Sequence, residues 1–262
     1  MFRPLLAANA LLLAAGSAQS VPLAPDFDND RLARTDDGFI AAQALGFSVN
    51  LYGISYGSAF VSNNGYLTFG AGQEDYATFG IGADDQGRPI VAPFFPDVDT
   101  RNPASGSTGH GRGSFAGRDA FGATWPGVGY YDTRADKLNS FQGILVERSD
   151  VAPGNFDTYF LYAQVQFERG DFSKGISAAV GYSNGAGAAG TFAQLPGSLV
   201  NGASLDGDPN SLTAGSLGTG APGQYLFQVR GGSPNAPARV AEPASTAVPG
   251  FSLVLLGVLR RR

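Results

Sequence analysis

Tyr159 to Glu168 reads YFLYAQVQFE, and this stretch decides the fold class. Tyr159, Leu161, Ala163, Val165 and Phe167 fall on one side of an extended chain. Phe160, Tyr162, Gln164, Gln166 and Glu168 fall on the other, which turns polar toward its end. Period-two alternation of this length predicts a half-buried β-strand. Working outward, Gln224 to Arg230 (QYLFQVR) repeats the pattern with Tyr225, Phe227 and Val229 on one face. Phe141 to Arg148 (FQGILVER) is apolar on both faces in its middle, as a central strand is. Ile176 to Tyr182 and Pro89 to Phe95 are further strand candidates. Ala59 to Phe69 reads as a hairpin, with Asn63-Asn64-Gly65 between two strand-like runs; Asn-Gly suits a tight type I′ turn. Helix signals are weak, and the best of them, Asp36 to Leu45, carries Gly38 in its first turn. Asn184 to Leu217 is rich in Gly, Ala and Ser and reads as largely loop.

Composition agrees. The chain has 262 residues, 38 of them Gly and 16 Pro, and only 15% charged. Gly and Pro are the two worst helix formers, so short strands and many turns are expected: an all-β, antiparallel β-sandwich-like single domain with long Gly-rich loops. No cysteine is present, which excludes a disulfide scaffold, a thiolate zinc site and a cysteine nucleophile. The single histidine, His110, lies in a glycine-rich stretch and reads as an exposed loop residue rather than a general base. The net charge is −5, and four of the 17 basic residues (Arg3, Arg260, Arg261 and Arg262) lie at the termini. A body this acidic argues against nucleic acid, which requires clustered Lys and Arg. No G-x-S-x-G elbow surrounds a serine, and the run Gly109 to Gly113 lacks the Lys-Ser/Thr of a phosphate loop.

The two ends carry sorting signals. Arg3, the apolar run Leu5 to Ala15 and the small residues GSAQS have the order of a secretory signal peptide over 1–20, with signal peptidase cutting after Ala18 or Ser20. Gly231 to Arg239 (GGSPNAPAR) reads as a linker. Residues 240–262 place Val240-Ala241-Glu242-Pro243 before an apolar stretch, Ala244 to Leu259, expected as a short apolar helix, and then three arginines. That order resembles the PEP-CTERM tail of bacterial exported proteins. The resemblance implies recognition near Glu242 and Pro243 by an exosortase-type protease, with transient membrane association while the basic end stays inside. Two departures stand out: Ala241 replaces the first Pro of the motif, and Pro249-Gly250 interrupts an apolar stretch shorter than the ~20 residues of a spanning helix.

The body, 26–230, resembles the NIDO domain, the extracellular module named after nidogen. The resemblance rests on blocks in order: Thr35-Asp36-Asp37-Gly38, Leu45 to Gly53 (LGFSVNLYG), the hairpin Phe60 to Gly70 (FVSNNGYLTFG) and Ile90 to Arg101 (IVAPFFPDVDTR). Ala123 to Tyr131 (ATWPGVGYY), Asn139 to Leu145, Phe167 to Asp171, Gly181 to Gly185 and Leu195 to Ser198 follow. Phe167 stands where the family often has Trp. The resemblance implies a non-enzymatic exported protein of the cell envelope, surface or extracellular space, mediating cell–matrix adhesion to an extracellular matrix or surface polymer. It supplies no catalytic residue set.

Two sites remain as candidates. Asp97 and Asp99, two apart on an expected strand, would share a face and approach one Ca2+, which takes six to eight oxygen ligands. Asp36-Asp37, Asp84-Asp85 and Asp206-Gly207-Asp208 could add oxygens. The competing reading is that these aspartates hold turns through backbone N–H groups, so that no cofactor is expected. Trp125, Tyr130 and Tyr131 could form a sugar-stacking platform, which would make the domain a carbohydrate-binding module for extracellular polysaccharide. Such rings also serve as core and sheet-face aromatics.

Overall fold

The computed structural model describes residues 21–77, 79–82, 87–170 and 176–235. The expected signal peptide with Ala18 and Ser20, the pair Asp84-Asp85, and the tail with Glu242, Pro243 and its apolar helix lie outside the described residues. The described residues contain no helix and form two antiparallel sheets packed as a sandwich. The first has the order β1 (Asp30–Arg31), β6 (Gly109–Phe115), β7 (Arg118–Tyr130), β8 (Arg134–Glu147), β9 (Phe156–Val165), β12 (Gln224–Arg230) and β13 (Ser233–Asn235). The second runs β11 (Phe192–Gln194), β10 (Ala179–Ser183), β5 (Ile90–Phe95), β4 (Leu67–Thr68), β3 (Ile54–Ser62) and β2 (Phe39–Leu51).

Strand β8 is the middle strand of its sheet, as its two apolar faces require. Strand β9 departs from the half-buried expectation, because both its faces are covered. Phe160 and Tyr162 enter the core between the sheets, while Leu161 and half-buried Tyr159 pack on the outer side. Opposite β8, Ser140 pairs with Gln164 but Phe141 with Tyr162. Ala163 is therefore an extra residue, and a bulge of this kind reverses the alternation beyond it. That is why Val165 and Phe167 turn inward although they share sequence parity with Leu161.

The segment read as the best helix, Asp36 to Leu45, is corrected: Phe39–Leu51 is strand β2, paired antiparallel with β3. Ile40, Leu45, Val49 and Leu51 gain more by packing into the sandwich than a Gly-interrupted helix offers. Pairing also runs past Arg230. Gly231 and Gly232, both at positive φ, turn the chain so that Ser233–Asn235 pairs with β12 inside the stretch read as linker.

The core between the sheets is aromatic. Trp125 and Phe141 stack with centroids 4.9 Å apart and planes 10° from parallel. Phe94 meets Phe141 and Tyr162 edge-on at 5.6 and 6.5 Å. Each fully buried ring of this kind contributes ~1.5–3 kcal/mol through removal from water. The outer face of the first sheet carries a second cluster of Ala120, Ile144, Val146 and Leu161, closed by Phe27 from the N-terminal segment.

Candidate functional site

Four segments converge at the hairpin between β3 and β4: Thr35–Gly38, the Asn63-Asn64-Gly65 loop, Pro96–Arg101 after β5, and Tyr131–Thr133 between β7 and β8. The hairpin is present, but its turn is not type I′. Only Gly65 has positive φ (87°), and the loop closes through Ser62 N–H to Tyr66 O at 2.9 Å. The longer loop lets both asparagines point inward, where each is 0% exposed.

Asn63 Nδ2 donates to the carbonyls of Thr35, Asp36 and Val98, and its Oδ1 accepts from Thr108 Oγ1 at 3.1 Å. Asn64 Oδ1 accepts from Val98 N–H at 2.8 Å, and its Nδ2 donates to Asp37 Oδ1 at 2.9 Å and Asp75 O at 3.1 Å. Trp125 Nε1 donates to the carbonyls of Ser62 and Asn63 at 3.2 and 3.0 Å. Buried polar groups must be paired this completely, since an orphan costs ~1–3 kcal/mol. In the sequence these asparagines have the look of turn formers. Nothing local distinguishes them, because these partners lie 11 to 45 residues away.

Beside this hub lies an acidic cluster. Asp36, Asp37 and Asp97 each offer a carboxylate oxygen within 4.8 Å of the others. Asp97 and Asp99 do not share a strand face as expected. Asp97 adopts φ +68° in a turn, so its carboxylate joins Asp36 and Asp37. Asp99, 0% exposed, faces the Arg101 guanidinium: Oδ1 accepts from Arg101 N–H and Nε, and Oδ2 accepts from Nη2 at 2.6 Å and from Thr133 N–H at 2.9 Å. The neighbouring β7–β8 loop holds Asp132 and Thr133 at φ +62° and +56°, a region that β-branched residues rarely enter.

Electrostatics separate these acids. Burial opposes ionisation of Asp99, but the Arg101 guanidinium and two backbone N–H groups outweigh it and lower its pKa. Asp36 is raised to about 6, first by burial and then by the charges of Asp99 and Asp37. Its 2.9 Å ion pair with Arg101 does not reverse the shift, because that guanidinium is already engaged by Asp99. Asp37 is also raised, chiefly by burial, against the lowering effect of Asn64. Three carboxylates fit the chemistry of a hard cation, and Asp36, Asp37 and Asp97 are the residues that would hold it. A positive charge already stands there in Arg101. Asp206 is engaged elsewhere, by Val165 N–H and Thr213 Oγ1.

The aromatic candidates are corrected. Trp125 is 0% exposed, and Tyr130 is 6% exposed, tilted against Phe167 at 4.9 Å with its hydroxyl on Asp136. Packing between the sheets takes both rings out of any surface platform, and half-buried Tyr131 alone cannot make one. His110 is no loop residue either. It sits on β6, 6% exposed, stacked on Phe121, and burial lowers its pKa despite nearby Asp30.

A two-sheet aromatic sandwich whose loops are tied by buried asparagines defines an all-β module. The family model described as NIDO related matches residues 21–212, and the chain belongs to that family. Mouse alpha-tectorin is 26% identical over 235 residues, covering 79% of this chain and 10% of its own length. Human alpha-tectorin matches to the same extent. Nidogen from Drosophila melanogaster is 24% identical over 153 residues, 50% of this chain and 10% of its own. The chain thus spans about a tenth of the length of these relatives. No solved structure matches.

Proposed function

We propose that the chain is a non-enzymatic, exported adhesion module that meets an extracellular matrix or surface polymer through its NIDO-related domain. The observation that carries this reading is the family match over 21–212, joined by similarity to alpha-tectorin and nidogen. The resemblance to NIDO modules of matrix and adhesion proteins gives the class of partner.

The two chain ends supply the route. The signal-peptide order over 1–20 directs export with cleavage after Ala18 or Ser20. The PEP-CTERM-like tail then stalls in the inner membrane by its three arginines, for an exosortase-type protease to cut near Glu242 and Pro243. The body is acidic and has only two lysines, Lys137 and Lys174, a balance that disfavours an anionic membrane surface. Deleting Val240 to Arg262 and fractionating the envelope tests the sorting step. The truncated chain should be free in the medium or periplasm and still folded; continued fractionation with the envelope would show that the body carries its own anchor. Retention of the purified body on native extracellular matrix, against a matrix-free support, tests adhesion. Equal retention on both would remove it.

A further inference from the structure

Glycines recur at every second position in Gly109-His110-Gly111-Arg112-Gly113, so all three lie on one face of β6. Gly122 on β7 continues that bare surface. The N-terminal segment occupies it. A methyl at Gly111 would meet Asp26 O, and one at Gly109 or Gly113 would lie 2.8 Å from the Cβ of Asp28 or Asp26. One at Gly122 would lie 2.5 Å from the Phe27 ring. Further along, Gln142 on β8 acts as a strand partner. Its Oε1 accepts from Ala24 N–H and its Nε2 donates to Ala24 O, both at 3.0 Å. Thr124 Oγ1 donates to Phe27 O at 2.8 Å. Val21 reaches the position before β12, its Cβ 3.5 Å from where a Cβ on Gly223 would stand. The segment therefore crosses the outer face from β6 toward β12 and seats Phe27, 1% exposed, as its anchor.

This is a built peptide groove whose lining comes from β6–β9 and the approach to β12, so it is complete without its occupant. The occupant is also separable. Arg34 fixes the body side, donating from Nη1 to the carbonyls of Thr100, Asn102 and Ser105. Before it, the arm is held at the sheet edge by the two-residue strand β1. We infer that the groove accepts the same arm, Val21–Arg31, from a second copy of this chain, giving strand-exchanged assemblies. Exchange of an identical element makes the same contacts in trans as in cis, so it is an inexpensive route to association. The tether keeps the cis arm at an effective concentration of roughly millimolar. Exchange therefore belongs to dense settings, where reciprocal pairs close as dimers and one-way exchange extends into chains. It does not depend on which polymer the domain meets.

The test uses the whole chain and a labelled synthetic peptide of Val21–Arg31. A Phe27→Ala chain, its own anchor removed, should bind the peptide. The same peptide carrying Phe27→Ala should bind on the order of a hundredfold more weakly, as loss of a buried ring requires. Wild-type chain, its groove filled, should bind far less peptide than the variant. If Phe27→Ala fails to fold, Phe27→Leu, which shortens the anchor and leaves every groove residue unchanged, serves as receptor. In the second arm, light and heavy isotope pools of wild-type chain are mixed at high concentration, diluted and weighed by native mass spectrometry. Mixed dimers should form, and should vanish when both pools carry Phe27→Ala. The inference falls if peptide binding ignores Phe27, if no mixed dimers form, or if they persist without that ring.

Discussion

Asp36 shows how a single carboxyl can work against the fold. Its folded pKa of about 6 lies above the ordinary 3.8. Its contribution is thus fully present below the ordinary value and is lost as pH rises through about 6. Asp37 shifts the same way, whereas Asp99, lowered, stabilises the fold at neutral pH and loses that contribution only as the solution turns acidic. Asp36→Asn should therefore raise the melting temperature at neutral pH and leave it nearly unchanged near pH 4. Because the side chain is 21% exposed, the gain is modest. Thermal melts across pH 4 to 8 check this; a variant less stable at neutral pH would show that the Arg101 pair outweighs burial. The same guanidinium competes with a cation at this cluster. Arg101 lies 2.6 Å from Asp99 and 2.9 Å from Asp36, so EDTA should leave the melting temperature almost unchanged. Loss of a saturating ion would instead remove about 2.7 kcal/mol at a hundredfold excess over its Kd, read as a shift of several degrees.

At the scale of the element, the β3–β4 hairpin is the most constrained piece. Phe94 N–H donates to Gly65 O at 3.3 Å, and a Cβ on Gly65 would lie 1.7 Å from Phe94 O. Its φ of +87° adds a second reason for glycine. Gly65→Ala should destabilise by several kcal/mol, since it must push β5 from the loop and disturb Asn64 beside it. Urea unfolding of this variant beside Gly53→Ala, where φ is +91° but a methyl meets nothing, separates the clash from the conformational strain. Similar losses in both would mean that strain alone decides. The turn signal Asn64-Gly65 located this hairpin from sequence. Its turn type was not legible, because the asparagines turn inward toward partners in other segments.

Across the whole molecule, two sheets without a helix among the described residues predict a far-UV circular dichroism spectrum of residues 21–240 dominated by β signal. A helical content above about a third, the average for globular chains, would overturn the architecture. Strand identity was legible because alternation is local. Gln224–Arg230 and the central strand around Phe141 needed only their own residues. β2 was misread because its bulged, uncharged sequence carries no clean period, and only the opposite sheet explains why Leu45, Val49 and Leu51 turn inward.

The chain by itself determined the β class, the hairpin, the blocks that resemble the NIDO domain and the net acidity. These follow from period, composition and short motifs, all written in neighbouring residues. Tertiary structure alone decided the roles of side chains. It placed Trp125 and Tyr130 inside and sent Asp97 toward Asp36 and Asp37 while Asp99 turned to Arg101. It also made two turn-forming asparagines the polar hub and filled the glycine stripe with the N-terminal arm. Burial and pairing depend on residues distant in sequence, and a side chain's chemistry follows from what the fold brings against it.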